Sequence, residues 1–453
     1  MTHTNIFRFM LPAVGALMLT TACSFEQEDY FDESASLRIT HMNDNIKSIL
    51  VSQSQGANNG WVIQYFVAGT DDYNFEGFNL FGRFFDSGKV TLAGNHRYLR
   101  NGNANQYTEA SSTYEMLAEE GPVLSFNTWN DVLTVFEDPV NPQAAPTVLS
   151  NDGEGMNGDH NLVLRTFSDN ELTFRGQRHS ANIRFIPCSM PWQDYINAVN
   201  ELKSKIATST LTSYYVTNGT DTMYFSGLNR GVFNYCDRVY DPLQNKVVSC
   251  VFTPNGFRLQ HTDSLGSNRF QEFTVDADST CLVSEDGSVK VIATWDDYIV
   301  DRTDLWRMDE SLFSAEQQSL FEQIAAELKS FNRNYVLDGI YMGQSVGANS
   351  VTGIVIGFYA NATTAKLSTA GIAMPVTRPA FGQMLVEYDP ESDSDRNMTN
   401  FTNRGLDVED LLRAFAVTLQ GTYTITPNNY FLPTGATFTP VSGGVAFKLD
   451  YQE

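Results

Sequence analysis

The sequence predicts a multi-domain α+β protein made of antiparallel β-meander units, each preceded by an amphipathic helix. Helical periodicity, with apolar residues three and four apart, recurs in separated segments at 34–53, 192–207, 314–331 and 407–419. Between them the period changes to two and short turn motifs recur, and strands joined by tight turns are antiparallel. The 453 residues suit two or three domains better than one. The helix-then-meander rhythm divides the body into 34–190, 191–305 and 306–453. No residue-level identity between these units marks a sequence repeat.

Residues 1–22 carry one cation, Arg8, and no acid, and an apolar stretch runs from Phe9 to Leu19. With Thr20-Thr21-Ala22 ahead of Cys23 this reads as a secretory signal, shorter than the roughly 20 apolar residues of a spanning helix. A cysteine directly after small residues resembles a bacterial lipobox. That resemblance implies a lipid on Cys23 and an anchor in the outer membrane. Thr20 departs from it, since the pattern prefers Leu there and Leu19 sits one place early. Ordinary cleavage after Ala22, leaving a free Cys23 thiol, is the alternative. Residues 23–33 hold Glu26, Glu28, Asp29, Asp32 and Glu33, too polar to build a core, and read as a solvated tether. The tether resembles the export signal that sends lipoproteins to the outer face of the outer membrane; a plain spacer is the alternative.

Each later element has a local reason. The first helix aligns Ala35, Ile39, Met42, Ile46, Ile49 and Leu50 on one face. Residues 60–66, Gly-Trp-Val-Ile-Gln-Tyr-Phe, read as a buried strand. Hairpins are expected at 84–90, 167–172 and 284–289, and Asn255-Gly256 is the strongest short turn signal. The second helix aligns Tyr195, Ile196, Val199, Leu202 and Ile206, the third Leu320, Phe321, Ile324, Ala325 and Leu328. The fourth starts at the cap residue Asp407 and stops before Gly421.

An apolar share of 42%, with 31 Phe and 20 Tyr, supplies packed cores and argues against disorder. A net charge of −24 opposes nucleic acid over the whole surface, so nucleic-acid binding is set aside. Beyond Cys23 the cysteines are Cys188, Cys236, Cys250 and Cys281. If 234–252 is a hairpin turning at Asp241-Pro242, Cys236 and Cys250 oppose each other within disulfide reach; the alternative is two buried thiols.

No His-Glu-x-x-His pair, serine elbow, phosphate loop or dinucleotide fingerprint is present, which argues for a non-catalytic protein. Asp152, Glu154, Asn157 and Asp159 place oxygens among glycines and are a candidate partial calcium site; Asp389, Glu391, Asp393 and Asp395 alternate similarly. Calcium takes about 6–8 oxygens, so neither loop completes a shell, and a solvated acidic loop is the alternative. No other cofactor is expected. Trp61 and Trp192 read as core residues. Trp129 and Trp295 stand beside amides and carboxylates, the setting in which aromatic rings hold sugars or peptides, and are the candidate ligand-binding residues.

Several stretches, taken in order, resemble one family. They are Phe31-Asp-Glu-Ser-Ala-Ser-Leu-Arg-Ile39, Asn59-Gly-Trp-Val-Ile-Gln-Tyr-Phe66, Ser112-Thr-Tyr114, Gly121-Pro-Val-Leu-Ser-Phe126 and Val135-Phe-Glu-Asp-Pro139. The set resembles the bacterial lipoprotein family known as domain of unknown function 4302, over about 24–300. Leu419-Gln-Gly-Thr-Tyr423 and Pro427-Asn-Asn-Tyr-Phe-Leu-Pro433 extend it toward the C-terminus. The resemblance implies a cell-surface accessory lipoprotein of nutrient uptake, beside a TonB-dependent transporter and its SusD-like partner, with no functional residues to transfer. The readings that stand are therefore a non-catalytic binding or accessory component that captures glycan or peptide, a surface hydrolase with dispersed carboxylates, and a structural or adhesive surface protein.

Overall fold

Helix α1 (Ala35–Ser52) begins where a serine can cap it: the Ser34 hydroxyl accepts from the Leu37 amide at 3.2 Å. Only its second half is buried, through Ile46, Ile49, Leu50 and Val51, while Met42 faces solvent. The computed structural model describes residues 33–451 except 69–73, 101, 120, 140–154, 239–240, 301–304, 347–350 and 362–365. It describes only the backbone at 236–238, 241–246, 344–346 and 351–352.

The first sheet holds β1 (Trp61–Phe66), β2 (Phe78–Phe84), β3 (Lys89–Gly94), β4 (Thr108–Thr113), β5 (Glu115–Ala118), β6 (Pro122–Ser125), β7 (Asn161–Ser168), β8 (Glu171–Gly176) and β9 (Asn182–Pro187). Its order is β4-β3-β2-β1-β9-β8-β7-β6-β5, all antiparallel, so the first strand of the meander pairs with the last, Trp61 opposite Pro187. Helix α2 (Trp192–Ile206) then crosses the outer face of this sheet. Residues of β1 alternate between two cores. Trp61, Ile63 and Tyr65 face the interior of the sheet, while Val62 meets Trp192, Tyr195 and Ile196 of α2. Burial on both faces explains why this strand is apolar almost throughout. Trp61 and Trp192 are core residues, donating Nε1–H to Leu50 O at 3.0 Å and Asn59 O at 2.6 Å.

The middle strands close a ring. They are β10 (Ser213–Thr217), β11 (Thr222–Ser226), β12 (Val232–Arg238), β13 (Asp241–Thr253), β14 (Gly256–Leu265), β15 (Asn268–Val275), β16 (Leu282–Ser284) and β17 (Lys290–Ala293). Each pairs with its sequence neighbour and β10 returns to β17, Tyr214 opposite Ala293. An eight-stranded barrel is just wide enough for side chains to fill. Tyr214, Val216, Phe225, Phe233 and Phe257 do so, which leaves Tyr215, Thr217, Thr222 and Tyr224 on the outside.

Helix α3 (Trp295–Val300) leads into the third sheet, of β18 (Trp306–Met308), β19 (Val336–Val346), β20 (Val351–Tyr359), β21 (Ser368–Ala373), β22 (Val376–Thr377), β23 (Gln383–Val386), β24 (Gly421–Pro427), β25 (Gly435–Gly443) and β26 (Phe447–Tyr451). The order β21-β20-β19-β18-β26-β25-β24-β23-β22 repeats, strand for strand, that of the first sheet. The long helix of this part, α4 (Ala315–Phe331), follows the three-residue β18 rather than opening the unit. Its start is a full capping box between Ser314 and Gln317. Helices α5 (Arg396–Thr402) and α6 (Val408–Thr418) pack on it and on the sheet. One apolar core runs from the barrel into the third sheet, and the interior of the first sheet forms another. Among the described residues no helix is long and apolar enough to cross a membrane.

Two local expectations need correction. In the hairpin of β13 and β14 the turn residues are Pro254 and Asn255, while Gly256 is already paired with Thr253. Gly256 is there for clearance, since a Cβ would fall 1.8 Å from the Phe273 carbonyl oxygen. The Cys236–Cys250 pairing also fails. Irregular register in this hairpin sets Cys236 opposite Pro242 and Val232 opposite Ser249, and Cys250 is a buried free thiol. Burial pushes that thiol well above its usual range, as expected of a packing residue.

Candidate functional site

Of the residues singled out from sequence, Cys23, Asp152 and Glu154 lie outside the described residues. Asn157 and Asp159, the two described members of the candidate calcium loop, are engaged with the backbone. Asn157 sits at φ +56°, and its carbonyl accepts from the Ala68 amide at 3.2 Å. The buried Asp159 carboxylate spends both oxygens on a turn, accepting from the amides of Arg178 (2.8 Å), His179 (3.0 Å) and Ala181 (3.1 Å). In the second acidic loop Asp395 likewise caps α5 and holds the Gly371 amide. Among the described residues no group of three or more His, Cys, Asp or Glu side chains converges as metal ligands would.

The two tryptophans have different fates. Trp129, in the loop after β6, is 50% exposed and donates Nε1–H to its own neighbour Asp131 at 2.7 Å. Trp295 is 3% exposed. It points away from solvent and packs edge-on against Phe381 and Tyr430, with ring centroids 5.2 and 5.9 Å apart. A helical step of about 100° separates successive side chains, so with Trp295 inward the half-buried Asp297 lies nearer the surface, while Asp296 stays buried beside it.

That surface is a cleft of about 560 Å³ between the barrel and the third sheet. One wall is aromatic. Tyr215 and Tyr224 are directly opposite each other on β10 and β11, their centroids 6.0 Å apart. Phe381 meets the Tyr215 ring edge-on at 5.2 Å. The other wall is charged, with Asp296, Asp297 and Arg378. Arg378 pairs with Asp297. Asp296 is raised above the ordinary carboxylate range by burial, opposed by the Gly382 amide and the Arg378 charge. Its Oδ2 accepts from the Gly382 amide at 3.1 Å, and Oδ1 from the Asp297 amide at 3.0 Å. Gly382 holds φ +70° with the Trp295 ring 3.5 Å from where a Cβ would be. Asp296 and Trp295 thereby fix the loop that carries Phe381 and Arg378. Burial, with help from Asp296, also lifts the Tyr215 hydroxyl above its usual range and keeps it a neutral donor.

Aromatic faces opposite a carboxylate and a guanidinium suit a ligand that is apolar on one face and rich in hydroxyls or amides at its edge. Sequence reasoning flagged Trp295 for its acidic neighbours, and those neighbours line the cleft. Tyr215, Tyr224, Arg378 and Phe381 carried no local signal, because pairing across strands and between units brings them together.

The model of the family described as "Domain of unknown function (DUF4302)" matches residues 27–277, more than half of the chain. No curated protein matches. Among solved structures, the DNA polymerase sliding clamp of Pseudomonas aeruginosa is 9% identical, with 91% of this chain and 97% of that one covered and a TM-score of 0.13. The C. crescentus beta sliding clamp is 11% identical, with 90% and 96% covered and a TM-score of 0.13. The isotype 1 transferrin binding protein B of serogroup B Neisseria meningitidis is 10% identical, with 88% and 73% covered and a TM-score of 0.13. Likenesses this low carry no argument about fold or function.

Proposed function

The chain belongs to the DUF4302 family, and from that premise we propose that it is a lipid-anchored protein of the outer-membrane surface that captures a glycan or peptide for uptake. The observation that carries this reading is the cleft in which Tyr215, Tyr224 and Phe381 face Asp297 and Arg378. The signal-like first residues, Cys23 and the acidic tether support the location. A TonB-dependent transporter with its SusD-like lipoprotein is the partner this reading requires. A purely structural or adhesive role needs no such cleft.

Titration of the purified protein with neutral oligosaccharides and with short peptides tests the capture. Phe381→Ala should weaken binding about tenfold, the equivalent of about 1.4 kcal/mol, by removing one ring of the wall. Saturable binding that ignores this substitution would move the ligand elsewhere; no binding by any probe would remove the reading. A surface hydrolase is the second reading, because one cleft holds two carboxyls and burial raises Asp296. Cleavage of a bound probe, lost in Asp297→Asn, would select it. The location has its own test. Cys23→Ala should shift the protein from the membrane fraction to the soluble fraction, and undiminished membrane attachment would contradict the anchor.

A further inference from the structure

A second cleft, of about 440 Å³, lies where the first sheet meets the barrel. Arg165 of β7, Arg175 of β8, and Arg258 and His261 of β14 line it. Among the described residues its lining includes no aspartate or glutamate, in a chain of net charge −24. Three guanidinium groups gathered against the sign of the whole protein are costly to assemble, because like charges repel and the largely buried Arg258 loses hydration.

The backbone is shaped to make it. Arg165 is the extra residue of a bulge, between the pairs Leu164–Phe174 and Thr166–Thr173. On β14 the register passes from Arg258–Glu272 to Asp263–Phe270, so that residues 259–262, with His261 among them, bulge opposite Gln271. Bulges re-aim side chains and interrupt ladder hydrogen bonds. Here the Gln271 side chain replaces those bonds, donating to Leu259 O at 3.2 Å and Gln260 O at 3.3 Å and accepting from the Thr262 hydroxyl at 3.2 Å. Ser180, also on the lining, is a non-glycine residue at φ +69°, and its hydroxyl accepts from Arg175 Nη2 at 2.6 Å.

The charges behind the cleft are balanced, and those inside it are not. Arg184 pairs with Glu171 and Glu272, each at 2.5 Å, and Arg258 reaches the same Glu272 oxygen at 3.2 Å. That approach is off-axis, and the buried Arg258 Nε has no hydrogen-bond partner among the described residues. Glu171 and Glu272 thus serve Arg184 behind the cleft, and Arg258, which lines it, only shares one oxygen of Glu272. The side chains of Arg165 and His261 have no ion-pair or hydrogen-bond partner among the described residues, and Arg175 has only the neutral Ser180.

We propose that this cleft binds an oxyanion, the carboxylate, sulfate or phosphate group of a small ligand, between the guanidinium groups of Arg165, Arg175 and Arg258. Guanidinium forks match such groups two bonds at a time, and the charge-assisted bonds are about twice as strong as neutral ones. The site is separate from the aromatic cleft and does not depend on what that cleft holds.

Calorimetric titration of the intact mature protein at low salt, with inorganic phosphate, inorganic sulfate and acetate as separate probes, tests it and tells the three groups apart. At least one probe should saturate, weaken as sodium chloride is raised, and bind about tenfold more weakly in Arg165→Gln and in Arg175→Gln. Both side chains are exposed, so folding should survive, and circular dichroism checks it. His261→Gln, on a different strand, gives an independent reading of the same loss. Phe381→Ala should leave oxyanion binding unchanged, which separates this result from the fate of the aromatic cleft. Failure of all three probes to saturate, or equal binding by wild type and the Arg165→Gln/Arg175→Gln double variant, overturns the proposal.

Discussion

Trp295→Ala is expected to cost about 3–5 kcal/mol of folding stability, the range for deleting a buried indole, and to abolish capture at the aromatic cleft together with it. The ring is 3% exposed, belongs to the core shared by the barrel and the third sheet, and supports Phe381, Tyr430 and the Gly382 turn from beneath. Urea unfolding reads the stability, and titration below the transition reads the binding. Trp295→Phe should do much less damage. The indole Nε1 is buried without a hydrogen-bond partner among the described residues. Removing an unsatisfied donor returns about 1–3 kcal/mol, which offsets part of the lost packing. A Phe variant as damaged as the Ala variant would mean that the indole is held by a polar contact after all.

The second large effect is a loss of stability in mild acid that traces to His96. This ring lies against Phe136, with centroids 4.7 Å apart, and near Phe78, at 5.6 Å. Its Nε2 is 3.0 Å from the Val132 carbonyl oxygen, which accepts, so the neutral ring carries its proton on Nε2. Burial lowers its pKa from 6.5 to about 4, and the Val132 hydrogen bond opposes the shift. The unfolded chain therefore takes up a proton at a pH where the folded one does not. Stability contributed by neutral His96 is complete above pH 6.5, falls as the pH drops toward about 4, and levels off below that. At about 1.4 kcal/mol per pH unit the loss is about 3 kcal/mol. His96→Gln keeps a donor for Val132 but has no ring to protonate. Parallel unfolding curves for wild type and variant across that window should converge as the pH falls; a constant gap would refute the assignment.

The parts of this fold that could be read along the chain are those decided within a few residues. Ser34 and Ser314 start helices because their hydroxyls reach amides three positions on. The turns at 86–88 and 169–170 follow from Asp, Asn, Ser and Gly, which tolerate tight backbone. Even there the reach of local rules was short. Asn255-Gly256 marks the right hairpin, but the turn is Pro254-Asn255, and Gly256 lies already in the strand against the Phe273 backbone. The plan common to the first and third sheets leaves little trace in residue identities beyond the tryptophan that opens each first strand. Trp61 meets Pro187 and Trp306 meets Tyr451 through backbone groups that nearly every residue has, so different sequences reach one order.

The candidate sites divide in the same way. Trp295, Asp296 and Asp297 are notable as residue types in a row, but which of them faces the cleft depends on how α3 lies between barrel and sheet. No local motif marks Arg165 or His261. Strict alternation would give them unremarkable positions, and only strand pairing reveals the bulges that turn them into one cleft. Asp159 shows the converse, because a glycine-rich acidic loop has the composition of a calcium ligand set, yet the carboxylate is consumed by three backbone amides.

By itself, then, the sequence determined the α+β class, the helices with the serine caps at Ser34 and Ser314, the antiparallel hairpins and the strongly negative net charge, because each depends on neighbours in the chain or on composition. The tertiary structure alone decided the closure of each meander by its first and last strands, the inward turn of Trp295, the aromatic cleft beside it and the cationic cleft at Arg165. The physical reason is that those features come from residues tens to more than a hundred positions apart, whose meeting is set by strand register and shared cores.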